Sequence, residues 1–454
     1  MSTLADPSLP STVDALPHRA TRPTVTAAGA VTVQAPPSKT ATCAMCPTAT
    51  PIAHVLDLGS APVVVGETPV DGPQDVAAPL RLGRCHACGV LQVEDALSDA
   101  ARELVATATS QRAFAGRPDG ARRFCEEAID RWRLRGDGHI IELGSGTGSL
   151  LRFFCAWQLP VLGIEADPRL TRYARLRRIP TWRAVFDSTV ADRIARSGMH
   201  ADLLIVSMPT GAFAHLGQLL DTAATVLRPG GVLTLEVPDL LRVVGRTRFD
   251  AVRHADRVIP SLRQFQDMVT DHGFDVVDIQ RAEMTDDRLR VWIRGRQEGA
   301  SMVGHPRMRT RLRAEAANTV EHPATVAAFA GRADLVRRQI RGLLDHAREQ
   351  QCTVAVWGTS HEAVTLAAVE RMDRQTVAYA VDPAGIHGCA ALQGTDIPIL
   401  GPADVADRRP DLVLALDDLA EPPPGWEGVP IYAVHDLVDV VHRLTDVPHV
   451  HFVR

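Results

Sequence analysis

Apolar positions along the chain change period several times, and each change marks an element. Ile140 and Ile141 end an apolar stretch that reads as a buried parallel strand. Glu142 follows, then Gly144, Gly146 and Gly148 at alternate positions, then the helical run Leu150, Leu151, Phe153 and Phe154. Val161 to Glu165 predicts a second strand, and Leu170, Tyr173, Ala174 and Leu176 predict the helix after it. Thr181 to Phe186 predicts a third strand, ending at Asp187, and Ala201 to Ser207 a fourth. A helix over Phe213 to Leu227 is broken by Arg228-Pro-Gly-Gly231, and Val232 to Val237 predicts a fifth strand. Phe274 to Ile279 and Leu289 to Ile293 give two strands close together. A βαβ series finished by a strand pair predicts a doubly wound α/β sheet with an antiparallel edge.

The flanks carry their own patterns. Upstream, Phe124, Ala128, Ile129 and Trp132 fall on one helical face. From about residue 301 a new unit starts, with Val336, Ile340, Leu343, Leu344 and Ala347 at helical spacing. Strands are predicted at Cys352 to Trp357, Val377 to Val381, Asp396 to Leu400 and Leu412 to Leu416, which makes a second, smaller Rossmann-like unit. Gly358 alone is a weak nucleotide signal, so this unit reads as structural or substrate-facing. The chain divides into a leader rich in Ala, Thr, Pro and Ser (1–40), a cysteine-bearing unit (41–98), a central α/β unit (99–300) and the C-terminal unit (301–454).

Composition narrows the function. The 454 residues are 45% hydrophobic and 23% charged, ordinary for a soluble globular protein, and too many for one core. A net charge of −5 argues against nucleic-acid binding, and no apolar run approaches a membrane span. The leader has no compact apolar segment of a secretion signal, so the expected location is cytoplasmic. Lys39 is the only lysine, which excludes a lysine Schiff base in the folded units.

Cys43-Ala-Met-Cys46 and Cys85-His-Ala-Cys88 form two Cys-x-x-Cys knuckles separated by 38 residues. Two such pairs can place four thiolates tetrahedrally around Zn²⁺ in a closed, structural site. Two disulfides or unpaired thiols are the alternatives, and the absence of a secretion signal disfavours disulfides. His86 lies between ligands and is not expected to be a fifth.

The glycine-rich turn is the other chemical signal. Glycines permit a sharp turn and close approach of a ligand, and a helix that follows offers unpaired N–H groups. The dinucleotide pattern Gly-x-Gly-x-x-Gly fails in either register, because Thr147 or Leu151 stands where its third glycine belongs. A P-loop needs Gly-Lys-Ser/Thr, which is absent. The remaining pattern, Glu142-Leu-Gly144-Ser145-Gly146-Thr-Gly148, resembles motif I of class I S-adenosylmethionine (SAM) methyltransferases. Glu165, at the end of the second strand, stands where ribose recognition needs an acid. Without a ligand the motif would be only a glycine-rich turn.

The order of units resembles the three-domain C-methyltransferases that act on nucleotide-linked deoxysugars. The resemblance rests on the four cysteines, Glu142 to Gly148, Glu236-Val-Pro-Asp-Leu-Leu241, Gly273 to Arg294, and Asp382-Pro through Gly394-Thr-Asp-Ile-Pro398. It implies a class I methyltransferase fold with a zinc-knuckle domain before it and a Rossmann-like domain after it. It implies SAM and Zn²⁺ as bound groups and a small-molecule acceptor, a nucleotide-linked 4-keto-sugar. In the implied chemistry a base removes the proton beside the ketone, and the enolate takes the methyl group. The family associates this with a Tyr-His-Glu-His segment, a histidine after the fourth strand and a tyrosine upstream of motif I.

The acceptor side departs from that pattern. The segment reads Arg253-His254-Ala255-Asp256, so only one histidine survives. The upstream tyrosine segment is Val105-Ala-Thr-Ala-Thr-Ser110, and the family's Gly-Gly-Ser is Asp286-Asp287-Arg288. The family's Gly-Tyr-Gly-Ala is Val356-Trp357-Gly358-Thr359, with no lysine after it. His215 matches the histidine after the fourth strand. The catalytic candidates are therefore His215 and His254, whose ordinary pKa of about 6.5 suits proton transfer, with Asp256 as a substitute acid or base. The alternatives to sugar C-methylation are O- or N-methylation, and a SAM-binding scaffold without catalysis.

Overall fold

The computed structural model describes residues 42–63, 76–94, 97–98, 101–102, 104–105, 118–136, 138–282, 288–296, 305–383, 385, 391–417, 423, 425–434 and 436–438. The leader, Ala106 to Ser110 and Asp286-Asp287 lie outside these residues.

The central sheet has seven strands. In chain order they are β4 (His139–Leu143), β5 (Val161–Glu165), β6 (Thr181–Arg183), β7 (Ala201–Val206), β8 (Leu227–Pro238), β10 (Phe274–Arg281) and β11 (Arg288–Gly295). Their spatial order is β10-β11-β8-β7-β4-β5-β6. The first five are parallel, whereas β11 runs antiparallel to both β8 and β10. This is the doubly wound sheet with an antiparallel edge that the hydrophobic pattern predicts, and the strand order reverses beside β4, between β5 and β7. Every residue of β5 and β7 is buried, because helices cover both faces. The strand before Val232 starts earlier than the pattern predicts: Arg228-Pro-Gly-Gly231 ends the helix but stays within β8.

The cysteine-bearing unit is a four-stranded antiparallel sheet. It contains β1 (Ile52–Pro62), β2 (Ala77–Cys85), β3 (Leu91–Val93) and β9 (Val258–Ile259). The fourth strand is donated by the central unit, with Leu91 opposite Ile259 and Gln92 opposite Val258. The C-terminal sheet is wholly parallel. It has the order β14-β13-β12-β15-β16 and comprises β12 (Val354–Trp357), β13 (Tyr379–Val381), β14 (Ile399–Leu400), β15 (Leu412–Ala415) and β16 (Ile431–Ala433). The pattern does not predict β16, whose three residues include exposed Ile431 and Tyr432.

One hydrophobic cluster joins all three units. It runs from Leu58 and Leu80, through Val243, Val244 and Phe249, to Phe329, Ile340 and Val356. Buried ions add directional contacts: Arg332 donates to the Val244 carbonyl and the Thr247 hydroxyl at 3.0 Å each, and Arg337 donates to the Asp57 carbonyl at 2.8 Å and to Glu370 at 2.7 Å. The units fix one another's orientation.

Candidate functional site

The glycine turn leaves the carboxyl end of β4. Gly144, Gly146 and Gly148 all have positive φ, at 71°, 55° and 72°. A Cβ on Gly144 would lie 3.0 Å from the Met208 side chain, and one on Gly148 would lie 2.9 Å from Ile179. The first contact packs the turn against the loop after β7; the second packs it against the segment leading into β6. Here glycine is required by both backbone conformation and space.

Two carboxylates flank the turn. Glu165, 1% exposed, accepts hydrogen bonds from the Gly146 N–H at 2.7 Å and the Asp167 N–H at 2.8 Å. Glu142, 2% exposed, accepts from the Ser207 hydroxyl at 2.6 Å through Oε1, while Oε2 has no hydrogen-bond partner among the described residues. Burial pushes the Glu142 pKa up to about 8, with the Ser207 bond opposing and Glu165 reinforcing. A buried acid with an unused oxygen fits a cationic group, and SAM carries positive charge on both sulfur and amine. The residues present therefore suit SAM. Ser145, grouped with the binding residues from sequence, turns its side chain onto β5. Its hydroxyl occupies the space a Cβ on Gly163 would need, 2.4 Å away, and its N–H bonds the Ile164 carbonyl. Ser145 thus shapes the turn from inside the sheet. Ser207, which the sequence reasoning missed, is the partner of Glu142; its position one residue past β7 was the available signal.

The four cysteines converge. Their sulfurs all lie within 4.8 Å of one another, with Cys43–Cys88 and Cys46–Cys85 at 3.7 Å. Tetrahedral Zn–S bonds of about 2.3 Å require sulfurs about 3.8 Å apart. All four are free thiols. The Met45 and Cys46 N–H groups point to the Cys43 sulfur at 3.4 Å. The Cys88 hydrogen bond holds the Cys43 thiol down to about 5, and the same contact pushes Cys88 up. Four crowded thiols ionise together only with a cation between them, and the donor set fits Zn²⁺. His86 is exposed.

The three catalytic candidates are placed differently. His215 caps the helix Leu216–Val226: its Nδ1 accepts from the Gly217 N–H at 3.2 Å, and its Nε2 lies 2.7 Å from the Cys46 carbonyl. Both ring nitrogens are thus engaged. His254 is 2% exposed, with Nε2 3.3 Å from the Ala78 carbonyl of β2. Asp256, 1% exposed, is bonded by Arg253 Nε at 2.9 Å and by Arg288 Nη1 at 2.7 Å. Burial alone would raise its pKa, but the two guanidiniums win and hold it at about 2. An ionised carboxylate locked between arginines is a poor proton acceptor. Arg288 also bonds the Glu236 carbonyl at 2.9 Å, and Arg290 bonds the Glu236 carboxylate at 2.8 Å. Ala255 joins Val105, Ala101, Ala78 and Val63 in an apolar cluster. Val105 and Ala255 thus pack against each other's neighbours in this cluster.

The C-terminal sheet has its own switch point, at Gly358 after β12. Asp417 accepts there from the Thr359 N–H at 3.0 Å, the Ser360 N–H at 3.1 Å and the Ser360 hydroxyl. A Cβ on Gly358 would fall 2.6 Å from the Asp417 carboxyl carbon. The Asp417 carboxylate thus fills the space beside Gly358 and satisfies these donors.

A methyltransferase domain model matches residues 117–279, and a model of the C-methyltransferase C-terminal domain matches residues 288–417. The C-methyltransferase NovU of Streptomyces niveus is 26% identical over 295 residues, which cover 65% of this chain and 70% of that protein. Among solved structures, the glycopeptide N-methyltransferase MtfA with SAM is 15% identical, covering 39% of this chain and 95% of its own at a TM-score of 0.30. A SAM-dependent methyltransferase of Geobacter sulfurreducens with S-adenosylhomocysteine is 18% identical, covering 41% and 96% at a TM-score of 0.30. The chain thus carries a methyltransferase domain followed by a C-methyltransferase C-terminal domain, and it is a homologue of the C-methyltransferase NovU.

Proposed function

We infer that the chain transfers the SAM methyl group to a small-molecule acceptor, and that the acceptor is a nucleotide-linked keto-sugar or a close chemical relative. The observation that carries the reading is the cofactor half-site: three positive-φ glycines between two buried carboxylates at the switch point of the central sheet. A bound SAM supplies an electrophilic methyl group. The chain's part is to hold it with the backbone of Gly144 to Gly148, with Glu165 toward the ribose hydroxyls and Glu142 toward the positive charge. A structural Zn²⁺ held by Cys43, Cys46, Cys85 and Cys88 belongs to the same reading. Where a proton must leave the acceptor carbon, His254 is the remaining candidate base, and Arg253 or Arg288 can offset negative charge.

The test is product mass after incubation with SAM and a panel of nucleotide-linked 4-keto-sugars. A gain of one methyl, placed on carbon by NMR of the product, supports the reading. In single-turnover transfer, His254→Ala should lose about 10²–10⁴-fold if His254 is a general base. A second reading, a SAM-binding scaffold, is favoured by the arginine lock on Asp256 and the apolar packing of Ala255. It gains if SAM binds while no acceptor is methylated.

A further inference from the structure

The loop Ser207 to His215 is fastened at both ends to different sites. At its start, Ser207 donates to Glu142 at 2.6 Å and Met208 packs against Gly144. Its middle is pressed onto the segment that carries His254: a Cβ on Gly211 would lie 2.4 Å from the His254 carbonyl, and the Gly211 N–H bonds the Ala255 carbonyl at 2.8 Å. At its end, His215 reaches the Cys46 carbonyl and the Leu216 N–H bonds the Ala44 carbonyl at 3.1 Å. Because Nδ1 accepts from Gly217, Nε2 carries the proton and donates to Cys46. The opposite knuckle is docked as well. Gln264 donates to the Cys88 carbonyl at 3.0 Å from the capping box that it makes with Ser261.

We propose that His215 is a positioning residue: it couples the four-cysteine metal site to the cofactor crevice through the loop Ser207 to His215. This rests on the reading that the cysteines hold Zn²⁺ and that the glycine turn binds SAM. A metal that fixes the Cys43–Cys46 knuckle fixes the Cys46 carbonyl, hence His215, hence the far end of the loop whose near end lines the crevice. Coupling of two ligands through one element is reciprocal. SAM must then hold the metal more tightly, by the same factor by which metal favours SAM.

The experiment follows zinc loss from the full-length holoprotein to a chromogenic chelator, with and without saturating SAM. SAM affinity is measured by calorimetry alongside. In the parent, SAM should raise the zinc affinity measured against the chelator by about 5-fold or more, the lower range of such couplings. His215→Ala should bind both ligands with the coupling gone. His215→Asp keeps a helix cap but no donor and should also be uncoupled. His215→Asn keeps a cap acceptor and a donor and should regain part of the coupling. If His215 were instead a base, the Asn variant would transfer methyl as poorly as the Ala variant, and SAM would protect the metal equally in all four proteins. That result overturns the proposal, as does an absence of protection in the parent with both ligands bound. A parent that holds no zinc or binds no SAM refutes the underlying reading, and the coupling falls with it.

Discussion

Asp256 and Arg288 meet at 2.7 Å, though 32 residues separate them in the chain. Both stand where the resembling family has other residues, and they now satisfy each other. Arg253 bonds the same carboxylate oxygen, so one buried acid holds two guanidiniums. Arg253, Asp256 and Arg288 thus form one electrostatic unit.

Replacing that acid should be expensive. Asp256→Asn removes the carboxylate that two mostly buried arginines share and should destabilise the protein by about 3–5 kcal/mol, the range for breaking a buried pair. The pH dependence has a definite sign. The folded pKa is about 2 against an ordinary 3.8, so the stabilisation is present above 3.8 and is lost as pH falls through 2. Its size is about 2 kcal/mol. Thermal unfolding from pH 5 to pH 2 should show this component in the parent and not in the variant.

How much of this was legible in advance follows from sequence distance. The glycine turn, Glu165 and the cysteine knuckles are local patterns, and the βαβ series followed by a strand pair marks a doubly wound sheet with an antiparallel edge. The roles of His215 and Asp256 were not legible, because they are set by partners far away: Cys46 lies 169 residues from His215. A histidine before an apolar helix reads as a candidate base, and nothing local in the sequence announces hydrogen-bond partners so far away. The β9 strand has only two residues, and its identity comes from the β3 edge it completes. Asp417 lies 57 residues beyond the Ser360 amide it caps, so no periodicity announces it.

Glu142 should give a proton signature to cofactor binding. Its pKa rises from 4.5 to about 8 on burial, so folding favours the neutral acid. Stability from this group is present below 4.5 and falls as pH rises toward 8. A cation bound beside it would favour the ionised form and release its proton. Calorimetry of SAM binding at pH 7 in buffers of different ionisation enthalpy should detect proton release in the parent. Glu142→Gln should abolish it while stabilising the cofactor-free protein at pH 8. Equal release in both proteins would assign the proton elsewhere.

The glycine turn makes a steric prediction. Gly148→Ala places a methyl group about 3 Å from Ile179 at a φ of 72°, which costs about 1–2 kcal/mol in the left-handed region before any clash is relieved. Gly148→Val adds β-branching to the same conflict and should weaken SAM binding further. The order parent, Ala, Val in calorimetric affinity is the expected result. Unchanged affinity in the valine variant would mean that the turn does not approach the cofactor.

Asp417 offers a test at the switch point of the second sheet. Its carboxylate accepts from two backbone N–H groups and the Ser360 hydroxyl at the start of the helix His361–Val369. Burial raises its pKa, yet these three donors oppose the rise. Asp417→Ala removes the acceptor, strands the donors and should destabilise the C-terminal domain by about 1–3 kcal/mol, the range for an unsatisfied buried polar group. The same variant opens the space beside Gly358 and exposes N–H groups at a helix start, a geometry that attracts anions. Phosphate should therefore raise the melting temperature of Asp417→Ala more than that of the parent, whereas Asp417→Asn, which keeps the space filled, should respond like the parent. An equal phosphate response in all three proteins would show that the carboxylate is a helix cap alone and excludes nothing.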